Sequence, residues 1–383
     1  MKGFKNVNVY VENKGIIKTD IAFENGVITA IGNNLDVEEL GKFDDNAVIV
    51  PGFIDEHIHG ASGADAMDGT IDALYKIATA IPSEGTTTFL ATTMTQSPEN
   101  ITKALKAVDD YIKLNKIDGA EILGAHLEGP FISPKHVGAQ PPQYVEKPCV
   151  KTFEKYVEAS GNHIKIVSFA PEVEGAEDLA KYCVQNKIVA SIGHTSAKFN
   201  EANASVDFGM SSVTHTYNAQ TGLHHRDAGV VGTALLNDKL NCEIICDTIH
   251  VSVPAIKLVV KNKPHDKVTL ITDAMRAKHM PDGESELGGQ LVIVKNGEAR
   301  LVDGTLAGSV LKMNDAIKNV VEKVGVPFTD AIDFAAANPA KNLGIFDKKG
   351  SIKVGKHADF AVLDKNTFKV LMTVRSGNVI FKG

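Results

Sequence analysis

The chain has 383 residues, 43% of them hydrophobic and 23% charged, a composition typical of a soluble globular protein large enough for an α/β barrel with an accessory module. Its net charge of −7 argues against a nucleic-acid or membrane-surface partner, so an anionic ligand would have to meet local positive charge. The four cysteines form no C-x-x-C pattern and the first residues show no signal-peptide core, so we expect reduced thiols and a cytoplasmic protein.

The two ends of the chain alternate apolar and polar residues, as half-exposed strands do. Residues 4–50 contain the hairpin signal Glu24-Asn25-Gly26-Val27, and residues 350–383 contain three short apolar runs. Neither end alone is expected to bury both faces of its strands. We therefore predict a small β-sandwich domain formed by residues 1–52 together with residues 346–383.

Between these ends, apolar β-rich runs alternate with helical patterns. The predicted strands are Val48–Asp55, Thr86–Thr92, Glu121–Leu127, His163–Ala170, Ile188–Gly193, Ser211–His215, Cys242–Cys246 and Val268–Thr272. Predicted helices between them include Ile71–Pro82, Glu99–Leu114, Ala176–Asn186, Lys198–Phe208 and Pro254–Asn262. This alternation predicts a (β/α)8 TIM-type barrel over residues 53–345, with its active site at the C-terminal ends of the strands. Residues 282–303, with an Asn296-Gly297 turn, form an excursion after the eighth strand.

Two histidines end the first predicted strand, in Pro51-Gly-Phe-Ile-Asp-Glu-His-Ile-His-Gly60. Alternate residues of a strand share one face, so His57 and His59 should project together, as two ligands of one metal ion would. Alone, the pair is almost as compatible with two histidines in a surface turn.

Other strand ends add further residues of metal-ligand type. They occur in His126-Leu-Glu128, Gly193-His194-Thr195, Thr214-His215-Thr216 and Thr272-Asp273-Ala274. Imidazole and carboxylate suit Zn²⁺, Fe²⁺, Mn²⁺ or Co²⁺, and a bridging Glu128 would allow two ions. Ligand-type residues are much less expected to occur at five strand ends by chance than as parts of a divalent metal centre.

These motifs resemble those of the amidohydrolase superfamily, and within it the N-acetylglucosamine-6-phosphate deacetylase family. The resemblance rests on the first-strand motif and on His126-Leu-Glu-Gly-Pro-Phe131, Ser191-Ile-Gly-His-Thr195, Thr214-His-Thr-Tyr-Asn-Ala219, Asp247-Thr-Ile-His250, Thr272-Asp-Ala274 and Leu306-Ala-Gly-Ser309. It implies hydrolytic removal of an acetyl group from a phosphorylated amino sugar. Many superfamily members bridge two metals with a carboxylated lysine from strand four, but here that strand ends in Ala170-Pro171-Glu172.

The resemblance also implies roles for individual residues. Glu128, His194 and His215 would hold a first divalent metal ion, His57 and His59 would complete a site for a second, and Asp273 would be both a ligand and the general base and acid. His250 would donate a hydrogen bond to the acetyl oxygen. Some family members have lost part of the H-x-H pair and work with one ion, whereas this chain keeps both histidines. Zn²⁺ or Fe²⁺ is the expected metal, with Mn²⁺ or Co²⁺ as alternatives.

The chain has no P-loop and no G-x-G-x-x-G, so the phosphate of the sugar needs other partners. Asn218, Ala219 and the guanidinium fork of Arg226 are the candidates. The family supplies this arginine from a neighbouring subunit, which implies a homodimer, although a solvated loop charge is the commoner role of such a residue. The family also contacts the sugar at positions that match Ala139, Gln140, Leu306, Ala307 and Gly308. His136, His224, His225 and His279 are expected at the surface or behind the ligands.

Two other functions remain open at this point. One is deacetylation of N-acetylgalactosamine 6-phosphate, which differs from the first sugar in one hydroxyl configuration that no motif distinguishes. The other is a non-catalytic assembly role on the same barrel, which the retention of all six candidate ligands disfavours.

Overall fold

The computed structural model describes all 383 residues, in strands and helices joined mostly by short turns. In chain order the strands are β1 (Lys2–Val11), β2 (Gly15–Glu24), β3 (Val27–Gly32), β4 (Glu38–Glu39), β5 (Ala47–Pro51), β6 (Phe53–Ile58), β7 (Gly60–Ala61), β8 (Ala64–Asp65), β9 (Thr86–Thr93), β10 (Glu121–Glu128), β11 (Ile164–Phe169), β12 (Val189–Ile192), β13 (Met210–Val213), β14 (Asn241–Ile245), β15 (Val268–Ile271), β16 (Gly283–Leu287), β17 (Gln290–Lys295), β18 (Glu298–Leu301), β19 (Phe360–Asp364), β20 (Val370–Arg375) and β21 (Asn378–Lys382). The α-helices are α1 (Ile71–Ala80), α2 (Pro98–Lys113), α3 (Val150–Ala159), α4 (Ala176–Gln185), α5 (Phe199–Ser205), α6 (Gly229–Leu236), α7 (Val253–Asn262), α8 (Met313–Asn319), α9 (Phe328–Ala335) and α10 (Ala337–Asn342). No helix combines the length and the apolar character that crossing a membrane requires.

Strands from both ends of the chain form one sheet, in the order β21-β20-β19-β5-β1-β2-β3, with β4 paired to β1. Phe23 of β2 and Phe360 of β19 are three strand positions apart, a separation of about 14 Å in a flat sheet. Their ring centroids are 5.5 Å apart, so the sheet curls around a shared apolar core that also holds Phe4 and Val374. The predicted β module built from both termini is therefore present; below it is called the terminal sheet.

The central sheet is a barrel of eight parallel strands in the order β6-β9-β10-β11-β12-β13-β14-β15. It closes between its first and last strands just beyond β15, where the N–H of Asp273 donates to the carbonyl oxygen of His57 at 2.8 Å and Ile58 bridges Ala274. The helices pack around the outside, and a core of 72 buried residues joins helices and barrel. The fold predicted from the alternating pattern is confirmed.

The first barrel strand differs from its prediction. The apolar run beginning at Val48 contains two strands, β5 in the terminal sheet and β6 in the barrel, and the chain changes sheets at Gly52. A Cβ atom at Gly52 would lie 2.3 Å from the Thr87 side chain, so only glycine fits this crossing without displacement. The predicted strand Val48–Asp55 is wrong because β5 and the first two residues of β6, Phe53 and Ile54, are all buried and apolar, so the apolar run continues where the chain passes between sheets.

The excursion after the eighth strand is a three-stranded antiparallel sheet, β16 to β18, turning at Asn296-Gly297 as predicted. Both turn residues have left-handed backbone, with φ of 53° and 81°, which suits Asn-Gly. The side-chain amide of Gln290 in β17 donates to the carbonyl oxygen of Ala139 at 2.7 Å. A small apolar core including Met94 and Met275 joins this sheet to the barrel, so the excursion covers one side of the barrel mouth.

Candidate metal-dependent active site

Six ionisable side chains meet at the C-terminal mouth of the barrel. His57 lies within β6 and His59 directly after it; Glu128 is the last residue of β10; His194, His215 and Asp273 follow β12, β13 and β15. None is more than 8% exposed. The parallel barrel therefore brings together side chains that are as far as 216 positions apart in the sequence, from residue 57 to residue 273.

Three of these residues have left-handed backbone at the point where the chain leaves a barrel strand. His194, His215 and Asp273 each stand two positions beyond the end of a strand, with φ of 46°, 29° and 47°. A left-handed backbone is unfavourable for residues with a Cβ atom and persists only where surrounding contacts impose it. Such backbone strain at three strand ends indicates that side-chain placement there is more important than local stability.

Five of the six side chains form two overlapping triads that share Glu128, namely His57-His59-Glu128 and Glu128-His194-His215, and Asp273 lies beside the first triad. Oε1 of Glu128 lies 2.9 Å from Nε2 of His215 and 3.1 Å from Nε2 of His194, and Oε2 lies 3.4 Å from Nε2 of His59. The two nitrogens of His194 and His215 are themselves 3.1 Å apart. Tetrahedral ligands about 2.0–2.1 Å from a Zn²⁺ ion stand about 3.3–3.4 Å from one another, so these spacings fit metal coordination.

The outer nitrogens of three histidines show which ring atom faces the centre. Nδ1 of His59 lies 3.2 Å from the carbonyl oxygen of Thr92, and Nδ1 of His194 lies 3.0 Å from the carbonyl oxygen of His136. A carbonyl oxygen only accepts, so both Nδ1 atoms carry a proton and the neutral rings turn an Nε2 lone pair inward. Nδ1 of His57 lies 3.1 Å from Oε2 of Glu243. These rings are arranged as metal ligands.

The charges of the cluster favour the same conclusion. Burial by itself would raise the pKa of Glu128, but the surrounding histidines, led by His57, hold it well below its ordinary value. Burial likewise opposes ionisation of Asp273, yet His57 and His59 lower its pKa to about 2. Two carboxylates are thus present among four imidazoles, a donor set suited to a divalent cation.

His250, in the loop after β14, lies beside this cluster and is held by Asp247. Nδ1 of His250 is 2.6 Å from Oδ2 of Asp247, whose other oxygen accepts the backbone N–H groups of Ile249 and His250, each at 2.8 Å. The carboxylate therefore fixes both the ring and its loop. This leaves Nε2 of His250 available to a bound molecule.

A cavity of about 210 Å³ opens above the cluster. Besides the ligands His59, Glu128, His194, His215 and Asp273, its lining includes His250 and the predicted substrate-contact residues Ala139, Gln140, Asn218, Ala219, Leu306 and Gly308. A larger groove of about 740 Å³ between α1 and α2 has no histidine in its lining, so the chemistry points to the smaller cavity.

Gln140 and Asn218, which line the cavity, already form hydrogen bonds within the protein. The Nε2 amide of Gln140 donates to Oε2 of Glu128 at 2.6 Å, and its oxygen accepts the N–H of Thr95 at 2.6 Å. Gln140 therefore orients the shared carboxylate. The N–H of Asn218 donates to the carbonyl oxygen of His215 at 2.9 Å, whereas the N–H of Ala219, at φ 48°, has no acceptor within the chain and is free for a ligand oxygen.

Two predicted substrate-contact residues lie elsewhere. Ala307 is fully buried in the small core under the excursion, and its N–H donates to the carbonyl oxygen of Ala299 at 2.9 Å. Arg226 lines a separate surface cavity with His224 and His225, and its Nη1 lies 2.7 Å from Nε2 of His225. Within a single chain, Arg226 does not reach the metal-ligand cluster.

Glu243, for which the sequence motifs predict no role, lies in β14 directly behind His57. It is fully buried, and burial raises its pKa to about 8. Its sequence signal is one acidic residue inside the apolar strand Asn241-Cys-Glu-Ile-Ile245, where a charge needs a specific partner. Asp247 stood in a quoted motif, but only the structure connects it to His250.

The chain is similar to known proteins over most of its length. The Amidohydrolase family model matches residues 48–380. The N-acetylglucosamine-6-phosphate deacetylase of Bacillus subtilis is 41% identical over 98% of this chain and 96% of its own, and the N-acetylgalactosamine-6-phosphate deacetylase of Escherichia coli O157:H7 is 36% identical over 84% of each. The crystal structure of the N-acetylglucosamine-6-phosphate deacetylase of Thermotoga maritima superposes with a TM-score of 0.90 and 34% identity, covering both chains completely.

Proposed function

The chain belongs to the amidohydrolase family, and from this membership we propose that it hydrolyses the acetamide of N-acetylglucosamine 6-phosphate to glucosamine 6-phosphate and acetate. The observation that carries this proposal is the cluster of six ligand-type side chains at the barrel mouth, in a chain similar over its whole length to deacetylases of that sugar. A non-catalytic assembly protein would have no reason to keep such a cluster buried, oriented and strained.

We assign proton transfer to Asp273. With a pKa of about 2 it is ionised at neutral pH, and its Oδ1 lies 3.2 Å from Nε2 of His59 at the floor of the cavity. From there the carboxylate takes a proton from the attacking water and returns it to the sugar nitrogen as the carbon–nitrogen bond breaks. Gly308 lines the cavity next to Asp273 with left-handed backbone, φ 61°, and a Cβ atom there would lie 3.1 Å from the backbone carbonyl oxygen of Asp273.

We assign stabilisation of the acetyl oxygen to His250. The Asp247 carboxylate accepts from Nδ1–H, holds the ring in one orientation and favours its doubly protonated form, in which Nε2–H donates to the oxygen as negative charge develops on it. A donor fixed before the reaction needs no reorganisation when the charge appears. Asp247 thus acts through His250 and not on the substrate.

We propose two divalent ions per chain, with Zn²⁺ or Fe²⁺ the best match to a set of imidazoles and carboxylates and Mn²⁺ or Co²⁺ also compatible. Glu128, His194 and His215 would hold the first; His57 and His59, with Glu128 shared and Asp273 beside them, would hold the second. A bound ion of this kind lowers the pKa of water and polarises a carbonyl group. Gln140, which donates to Glu128, keeps the shared carboxylate in place for both triads.

The sugar phosphate would bind across the cavity, between the excursion and the loop after β13. The free N–H of Ala219 and the side chain of Asn218 are the polar groups on one side, and Ala139, Leu306 and Gly308 line the walls. Ala307 supports the excursion side from its core and would not contact the sugar directly.

A second copy of the chain would supply Arg226 to the phosphate. Leu223 and Leu236, which line the same surface cavity as Arg226, are 57% and 69% exposed and provide apolar area beside the cation for a second surface to cover. We therefore propose a homodimer in which Arg226 crosses the interface.

The four unpaired cysteines support a reducing cytoplasmic compartment.

The experiment that tests the function is acetate release from N-acetylglucosamine 6-phosphate, compared with N-acetylgalactosamine 6-phosphate and with unphosphorylated N-acetylglucosamine. We expect the highest kcat/KM for the first compound and the lowest for the sugar without phosphate. Higher efficiency with the galacto sugar would reassign the substrate, and no acetate from any of the three would refute the proposed reaction.

A further inference from the structure

Glu243 is a fully buried carboxylate in the barrel interior, and nothing in the proposed reaction uses it directly. Burying such a group is costly unless it has hydrogen-bond partners. Its Oε2 atom has two, Nδ1 of His57 at 3.1 Å and the backbone N–H of His215 at 3.2 Å. Oε1 has no partner. The residue is therefore connected to the metal-ligand cluster through a single oxygen atom.

That oxygen joins the two triads. His57 belongs to the triad with His59, and His215 belongs to the triad with His194. The backbone N–H of His215 can only donate, so Oε2 of Glu243 is an acceptor at this position, and Nδ1 of His57 at the same oxygen is placed to donate as well.

The partner of His57 differs in kind from those of the other histidines. Nδ1 of His59 and Nδ1 of His194 face backbone carbonyl oxygens, which no substitution removes, and Nδ1 of His215 has no partner. Only His57 has its outer nitrogen held by a side chain. The orientation of one ligand in one triad is thus controlled by a residue outside both triads.

We infer that Glu243 is a positioning residue that keeps the proton of His57 on Nδ1, turns the Nε2 lone pair towards Glu128 and Asp273, and so sets the affinity of the His57-His59-Glu128 triad for its metal ion. This inference rests on the proposed two-ion centre. The other triad, Glu128-His194-His215, keeps its ligand orientation without Glu243, apart from one backbone hydrogen bond.

The test compares two substitutions of similar size. Glu243→Gln keeps an oxygen acceptor at this position, whereas Glu243→Met removes it. Glu56→Met is the matched control, because Glu56 is an equally buried carboxylate in the same interior whose side chain contacts Asn241 and Asn342 and no metal ligand. Zn²⁺ affinity is measured by competition with a chromophoric chelator, and circular dichroism verifies folding.

We expect Glu243→Met to weaken the second Zn²⁺ ion by roughly 10–100-fold, the usual effect of removing an outer partner of a histidine ligand, while the first ion stays bound. Glu243→Gln and Glu56→Met should bind both ions much as the wild type does. Two ions bound with unchanged affinity in Glu243→Met, or equal losses in all three variants, would overturn the inference.

A second measurement decides the question even if Glu243→Met does not fold or if the wild type binds one ion. Imidazole ¹⁵N NMR of metal-free wild-type protein at alkaline pH, with His57 assigned by its absence in His57→Gln, reports which ring nitrogen carries the proton. We expect Nδ1–H; Nε2–H would overturn the inference. Lack of deacetylase activity in a two-ion protein with Nδ1–H at His57 would instead count against the proposed function alone.

Discussion

The terminal sheet and the barrel mouth both contain left-handed backbone, but on different kinds of residue. In the terminal sheet, left-handed backbone on residues with a side chain falls mostly on asparagine, at Asn6, Asn13, Asn25 and Asn34. At the mouth it falls on residues that adopt it at a cost, among them His194, His215, Tyr217, Ala219 and Asp273. Asparagine tolerates this conformation far better than most residues with a side chain.

The two regions also differ in how selected buried polar side chains are hydrogen-bonded. In the terminal sheet, Asp20 accepts the N–H groups of Asn6 and Leu35 at 2.8 and 2.9 Å, which satisfies both oxygens. At the mouth, Nε2 of His57 and Nδ1 of His215 are buried without a hydrogen-bond partner. Strained backbone and unpartnered ligand nitrogens therefore occur together at the mouth, as expected where a ligand is to bind.

The same substitution in both regions should give the largest contrast. Asp273→Asn keeps the size of the side chain but cannot accept the proton of the water, so turnover should fall by roughly two to four orders of magnitude, the scale of general-base loss. Asp20→Asn should leave turnover unchanged and lower the free energy of unfolding by about 1–3 kcal/mol, because one N–H group loses its acceptor. Steady-state kinetics and urea unfolding measure the two effects; comparable loss of turnover in both variants would erase the contrast.

Arg226→Ala should produce the next largest effect. Removing a charge-assisted phosphate contact should cost about 1.5–3 kcal/mol of binding, seen mainly as a higher KM with unchanged metal content. A KM equal to that of the wild type would separate Arg226 from the substrate.

Mixed dimers test whether Arg226 acts across the interface. A heterodimer of Arg226→Ala with Asp273→Asn should contain one site lacking both residues and one intact site, and so recover about half of the wild-type activity per dimer. If heterodimers form without recovering activity, the arginine does not act in trans.

Backbone strain at the mouth should be measurable at His194. His194→Ala and His194→Gly both remove the ligand and should lose most of the bound metal, so their difference isolates the backbone. Glycine should be more stable by roughly 1 kcal/mol, the steric cost of left-handed backbone less the entropic cost of glycine. In the terminal sheet, Asn25→Gly should differ little from wild type. If the two His194 variants were equally stable, the left-handed backbone at this position would not be strained.

The smallest effect concerns acid stability of the terminal sheet. Burial would raise the pKa of Glu12, but Ser351, Lys353 and Lys356 lower it from 4.5 to about 2. A lowered folded-state pKa stabilises the protein above the ordinary value, and this stabilisation is lost as the pH falls from 4.5 towards about 2. Glu12→Gln should therefore reduce stability at pH 7 by at most about 1 kcal/mol, as for partly exposed ion pairs, and flatten the acid limb of a pH–stability curve. Parallel curves would contradict this account.

Sequence patterns predicted the barrel and the six-residue cluster because strand ends of a parallel barrel meet at one face, whatever their separation along the chain. They did not separate β5 from β6, since the apolar run of β5 continues into Phe53 and Ile54 at the start of β6. Nor did they assign a role to Glu243 or exclude Ala307 from the cavity wall. Those properties depend on which face a side chain takes in the closed barrel and under the excursion, and neither face is marked by local pattern.

The central claim is that the cluster at the mouth is a metal centre that hydrolyses the acetyl group. Its most direct test is acetate release from N-acetylglucosamine 6-phosphate by protein stripped with a chelator and then titrated with Zn²⁺ or, without oxygen, Fe²⁺. We expect almost no turnover in the stripped protein, and activity that rises with added metal and saturates near the number of ions bound per chain. Full activity in protein shown to be metal-free would contradict the account.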